Sequence, residues 1–187
     1  MLSLPAKLAV SDFILVHMKP TRDLAMALFD VFSADFENMR FWLRGEKIKS
    51  VQEIMDGIER AYDSDNMYMF EMFQNDKLVG DIGFANIIEK DKNVFVDYWL
   101  APMVRRQKLI DKFLPIMESL AFENLNMDKV TLGIDVENTA SRKVAERNGY
   151  VLKGVSKSGK VWVDGSKHDE CEYVKQKSEW LKGKRNA

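Results

Sequence analysis

A single mixed α/β domain is the expectation from this chain, on three grounds. Helical periodicity dominates the N-terminal third after one short strand run. The centre then switches to strand-type runs joined by short turns, and the remainder alternates helix with strand before closing on two strands. Finally, 187 residues at 46% hydrophobic and 30% charged can bury one core without disulfide or metal staples.

Each element has a local reason. Phe13 to Lys19 (FILVHMK) is an apolar strand run closed by Pro20. Thr21 suits the N-cap of a helix carrying Leu24, Leu28 and Val31 on one face. A short helix over Ala34 to Trp42 follows, and Ser50 with Glu53 forms a capping box for a third helix through Ile54, Ile58 and Ala61. Met67 to Phe73, Leu78 to Ile88 and Val94 to Leu100 are strands, the first two joined at Asn75-Asp76-Lys77, so an antiparallel meander is expected. The longest helix is expected over Arg106 to Asn124, with Leu109, Phe113, Ile116, Met117 and Leu120 on one face. Pro115 inside it should bend it or cost up to roughly 3 kcal/mol. Lys129 to Asp135 reads as a buried strand. Asn138 opens a helix that stops at Asn148-Gly149, and Asp164-Gly165 marks the last hairpin. The end, LKGKRNA, reads as a loose basic tail.

Charge and cysteine content narrow the function. Twenty-eight Lys+Arg against 29 Asp+Glu leave a net charge of -1, which argues against a nucleic-acid coat. No apolar run is long enough for a membrane span, and the start lacks the apolar stretch of a signal peptide. The lone Cys171 forms no internal disulfide, so a reducing, cytoplasmic setting is expected. There is no zinc spacing, phosphate-binding Walker loop or Gly-x-Ser-x-Gly elbow.

Two segments carry candidate chemistry. The stretch YWLAPMVRRQKLID (98–111) feeds a strand into a helix N-terminus and places Arg105, Arg106 and Lys108 there. Cations oppose the positive end of a helix dipole, so the cluster is either solvated surface charge or an anion site. In VENTASRKVAERNGY (136–150), Asn138 and Ser141 lie on the first helical turn beyond a buried strand. They are either an ordinary cap and its neighbour or groups that meet a ligand at the strand end.

With KLVGDIGFANI (77–87), DYWL (97–100) and ENTASRKVAERNGYVLKG (137–154), these segments resemble the GNAT superfamily of N-acetyltransferases. The likeness is strongest to the RimJ/RimL type, which acetylates ribosomal-protein N-termini. The resemblance implies a three-layer fold with a splayed central sheet, helices on both faces, and acetyl-CoA as co-substrate without a metal. It implies a pyrophosphate loop at Arg105, Arg106, Gln107, Lys108, Leu109 and Ile110, pantetheine pairing at Leu100 and Ala101, and a pantetheine contact from Asn138. Ser141 would protonate the leaving thiolate. The family's loop has small residues where this chain has Lys108 and Ile110, so side-chain cations would supplement the backbone there. Phe95 and Lys160 stand where RimL-like relatives carry acids. Asp97, on the same strand face as Phe95, is therefore the expected general base, with Glu71 second. His17 is expected to be structural and His168 solvated. By the same analogy Phe41, Trp42, Tyr98 and Trp99 would shape the acceptor site. The acceptor would be a primary amine, on a protein N-terminus or a small molecule, served by a monomer or homodimer with no nucleic-acid or membrane partner. The alternative is a non-catalytic module that kept the fold for ligand or protein binding.

Overall fold

A computed structural model describes residues 4–185. Among them run eight strands in one sheet, ordered β1-β2-β3-β4-β5-β6-β8-β7, with helices on both faces. The strands are β1 (Lys7–Val10), β2 (Phe13–His17), β3 (Tyr68–Gln74), β4 (Lys77–Ile88), β5 (Asn93–Leu100), β6 (Lys129–Asp135), β7 (Val151–Val161) and β8 (Lys167–Gln176). The helices are α1 (Arg22–Ala34), α2 (Phe36–Leu43), α3 (Val51–Tyr62), α4 (Leu109–Ser119), α5 (Thr139–Arg147) and α6 (Lys177–Arg185). None is long and apolar enough to cross a membrane.

The local signals act as expected at most boundaries. Thr21 accepts the Leu24 N–H at 3.3 Å, and Ser50 accepts the Glu53 N–H at 3.2 Å. Glu53 reaches back to the Lys49 N–H at 2.8 Å, one residue beyond a standard capping box. Asn75 and Asp76 both take positive φ (50° and 59°), as a two-residue hairpin turn requires.

Strand alternation divides the interior in two. Phe13, Leu15, Phe70, Met72, Ile82, Phe84, Val94 and Val96 face α4 and its core residues Phe113, Leu114 and Met117. Met69, Leu78 and Trp99 face α1–α3, against Leu28, Phe32, Ile54 and Ile58.

β5 and β6 are parallel neighbours but pair only at Asn93–Phe95 with Lys129–Thr131. Beyond those rungs the strands diverge, as the resemblance implied, and open a cleft of about 1260 Å³. A buried hydrogen bond from Thr131 Oγ1 to Asn93 Oδ1 (2.8 Å) closes the base of the V.

Three expectations need correction. β1, hidden in a lysine-flanked run, pairs with β2 at the sheet edge. The long helix begins at Leu109, not Arg106, because Arg106 and Lys108 hold left-handed φ (63° and 56°). Pro115 does lie inside α4, as expected, and the helix widens to a π-helical turn over Leu120–Asn124. The supposed loose tail is α6 through Arg185, its last two residues lying outside the described ones. Buried Trp180 packs on Phe122 (centroids 5.2 Å), and Lys184 pairs with Glu123 at 2.8 Å.

Candidate active site

The cleft between the diverging strands gathers the chemistry. One limb runs past the C-terminal end of β5 to the N-terminus of α4. Here the N–H groups of Arg106 to Ile110 have no hydrogen-bond acceptor among the described residues; the nearest bonded ones are Arg105 (to Pro102) and Asp111 (to Lys108). Left-handed backbone at Arg106 and Lys108 falls within this run of donors, the kind of conformation from which anion-binding nests are built. Arg106, Gln107 and Lys108 are exposed, whereas Leu109 and Ile110 turn their side chains into the core (2% and 3% exposed). Ile110 therefore does not crowd the nest, and Lys108 takes the backbone conformation a glycine would supply.

Arg105 departs from the expected outward role. Its Nε donates to the Leu100 carbonyl at 2.8 Å and its Nη2 pairs with Asp35 at 2.5 Å. It buttresses the loop against α2 instead of reaching for a ligand. The Ala101 N–H is bonded to Val79 and its carbonyl to Val104, so Ala101 is part of the wall. The Leu100 carbonyl keeps one lone pair at the open edge.

On the opposite wall α5 begins where β6 ends. Asn138 Oδ1 accepts the Ser141 N–H at 3.1 Å, which caps α5 and leaves the amide nitrogen of Asn138 available. Ser141 Oγ lies 3.0 Å from the Tyr98 hydroxyl, bridging β5 and α5. Burial pushes the Tyr98 phenol up to about 12, so it stays protonated and can back Ser141 as a donor. Asp111 is held by Arg147 and Asn148, tying α4 to α5 below the nest.

The other limb lies between the sheet and α1–α3, and three acids share this face. Glu71 of β3 stands directly opposite Asp81 of β4, and Asp97 of β5 stands opposite Gly83. Glu71 and Asp81 are 2% and 3% exposed, and Asp97 is half-buried; all three line the cleft. Neither Glu71 oxygen, nor Asp81 Oδ1, meets a hydrogen-bond donor. Burial lifts Glu71 to about 8. It also lifts Asp81, which the Glu71 charge raises further and the adjacent Trp99 side chain pulls partly back. Asp97 is raised by burial against the opposing pull of Lys160 and Arg44.

Asp81 is absent from the sequence-based candidates. Its signal was there, an acid inside the apolar run LVGDIGF, but a single charge in a strand does not reveal which face it takes.

The four aromatics do not form one surface. Tyr98 faces α5, while Trp99 (4% exposed) points the other way, edge-on to Phe32. Trp42 packs on Phe32 and stays 38% exposed. Phe41 meets Trp162 edge-to-face, and all four aromatics line the cleft, from different walls, together with Trp162. Trp162 comes from the β7–β8 hairpin and lies over Gly45, where an added Cβ would stand 2.9 Å from the ring. His17 is stacked on Tyr68.

His168 is not solvated. Its ring stacks on Trp162 at 3.6 Å, its Nδ1 meets Asp135 Oδ2 at 2.7 Å, and its Nε2 meets Ser166 Oγ at 3.0 Å. Asp135, Glu137 and His168 bring ligand-type atoms within 4.8 Å of one another, but both His168 nitrogens are already engaged. The chain Ser166–His168–Asp135 thus anchors Trp162.

Comparison with known proteins bears on family and fold. The family model for the acetyltransferase (GNAT) domain matches residues 12–151. Among curated proteins, the Escherichia coli ribosomal-protein-serine acetyltransferase is 29% identical over 96 residues, 51% of this chain and 54% of that one. YdaF of Bacillus subtilis, provisionally assigned as a ribosomal N-acetyltransferase, is 27% identical over 129 residues, covering 69% of this chain and 70% of that protein. Among solved structures, RimL, the ribosomal L7/L12 alpha-N-protein acetyltransferase in complex with coenzyme A, superposes with a TM-score of 0.76 at 18% identity over 94% of this chain and 98% of that one. Spermidine N-acetyltransferase from Vibrio cholerae, in complex with CoA and spermine, gives 0.77 at 18% identity over 92% and 99%. These two superpositions speak to fold.

Proposed function

This chain belongs to the GNAT acetyltransferase family and is an acyltransferase of that type; from that premise we propose that it moves acetyl from acetyl-CoA to a primary amine by direct attack. The observation that carries the reading is the nest of five free N–H groups at Arg106–Ile110, beside the open edge of β5. It suits a pyrophosphate, with Arg106 and Lys108 adding exposed positive charge. The alternative, a non-catalytic module, draws on the missing loop glycines and on the missing usual acids; Lys108's left-handed backbone weakens the first ground, and Asp97 in the cleft is offered against the second.

The residues divide the chemistry between the two limbs. Asp97, directly or through water, takes a proton from the incoming ammonium, and the free amine attacks the thioester carbonyl. As the carbon–sulfur bond breaks, Ser141 Oγ–H protonates the thiolate; the second proton of the attacking nitrogen, released as the amide forms, restores the Ser141 hydroxyl, which the Tyr98 hydroxyl orients at 3.0 Å, and Asp97 returns its proton to solvent. Asn138 offers its amide nitrogen to the pantetheine arm. Most of the rate gain would come from holding the two substrates in line. The acceptor is a protein N-terminus or a small amine.

The test is thiol release from acetyl-CoA, run beside calorimetry with coenzyme A. Ser141→Ala should slow thioester cleavage with coenzyme A affinity nearly unchanged. Asp97→Asn should lower the rate by about 10²-fold or more. Wild-type rates in both variants would remove these residues from the mechanism, and a parent protein that binds no coenzyme A would overturn the reading.

A further inference from the structure

The acid pair at the floor of the α1–α3 limb has no structural task. A buried carboxyl group ordinarily finds donors, because an unpaired one forfeits its hydration without return. Glu71 has none on either oxygen at 2% exposure, and Asp81 lacks one on Oδ1 at 3%. No lysine or arginine forms an ion pair with either among the described residues. Both nevertheless line the cleft that holds Asp97. The surrounding walls, Leu28, Ile54, Ile58 and Met69, are apolar.

We propose that Glu71 and Asp81 form a subsite for a second ammonium group, so that the preferred acceptor is a small α,ω-diamine or polyamine. This rests on the acetyl-transfer reading above and names its acceptor. The register sets the length. Asp81 and Asp97 are diagonal neighbours on one face of the β4–β5 pair, a relation that separates Cβ atoms by about 7–8 Å. An extended chain of about four or five methylenes spans a comparable distance. One ammonium would sit between Glu71 and Asp81 while the other reaches Asp97, loses its proton and attacks. The methylenes would lie against the apolar walls. A monoamine would leave the floor carboxyls unpaired, and so would a peptide N-terminus whose first side chain is uncharged.

The experiment compares 1,4-diaminobutane, 1,5-diaminopentane, the matched monoamines butylamine and pentylamine, and a short peptide with a free N-terminus. The diamines should exceed the monoamines in kcat/KM by about 10- to 100-fold, the worth of one charge-assisted contact. Glu71→Gln and Asp81→Asn should erase most of that preference through KM, with coenzyme A affinity unchanged. Titrating 1,5-diaminopentane into the coenzyme A-saturated protein reads the subsite without turnover. Binding that is lost in Glu71→Gln supports the subsite even if no acetyl is transferred, an outcome that would count against the acetyl-transfer reading alone. Equal affinity for diamines and monoamines in the wild type, or preference for the peptide, overturns the subsite and leaves acetyl transfer standing.

Discussion

Glu71 shows at the scale of one residue how a candidate site works against stability. Burial lifts its carboxyl from 4.5 to about 8, so the folded protein keeps a proton that the unfolded chain has released. The sign follows from linkage. Where the folded state binds more protons, stability falls as pH rises. Glu71 thus lowers stability progressively between about pH 4.5 and pH 8, with no further loss above. Glu71→Gln abolishes the titration and relieves the charge that raises Asp81. Thermal melts should show the variant gaining on wild type from pH 5 to pH 8, with the gap levelling beyond. A constant gap would mean that Glu71 does not titrate in this range.

The loop before α4 separates residues that hold it from residues free to hold a ligand. Arg105 ties Leu100 to Asp35, and Asp35's side chain is only 16% exposed. Arg105→Ala should cost about 1–3 kcal/mol in denaturant unfolding by leaving that carboxylate without its partner. Arg106 is exposed and makes no ion pair among the described residues. Arg106→Ala should leave stability unchanged but weaken coenzyme A binding by about 10-fold, more at low salt than at high salt. Lys108 stores backbone strain at φ 56°. Lys108→Gly should raise stability by about 1 kcal/mol as that strain is relieved, read as a higher urea midpoint.

At the scale of the whole molecule, the splay depends on strands clamped at one end and spread at the other. The Thr131–Asn93 bond and the three parallel rungs hold the closed end, while Tyr98–Ser141, Arg40–Glu137 (3.9 Å), Phe41–Trp162 and the Asp111 bonds to Arg147 and Asn148 are among the contacts that cross the open end. α6 lies away from this cleft and belongs to the α4-side core through Trp180. Trp180→Ala should therefore destabilise the fold by about 3–5 kcal/mol yet leave the coenzyme A dissociation constant unchanged at temperatures where it is folded. A matching loss of affinity would show that α6 and the cleft are coupled.

The sequence by itself determined element type and most boundaries, because caps, turns and periodicity act over a few residues. Thr21, Ser50, Asn138 and Asp164-Gly165 each do so within one turn of the chain. It also supplied Ser141 and Asp97 as candidates, through a resemblance carried by short contiguous segments. Only the tertiary structure decided which side chains meet. Glu71 and Asp81 are ten positions apart and become a pair only through the β3–β4 register. Tyr98 and Trp99 are adjacent yet face opposite layers, since strand neighbours point to opposite sides. Arg105 turned inward because Asp35, seventy positions earlier, waits there, and α6 became a helix with a purpose once Phe122 gave Trp180 a surface. Local preferences are written in neighbouring residues, whereas pairing, burial and the absence of a partner are properties of segments brought together by folding.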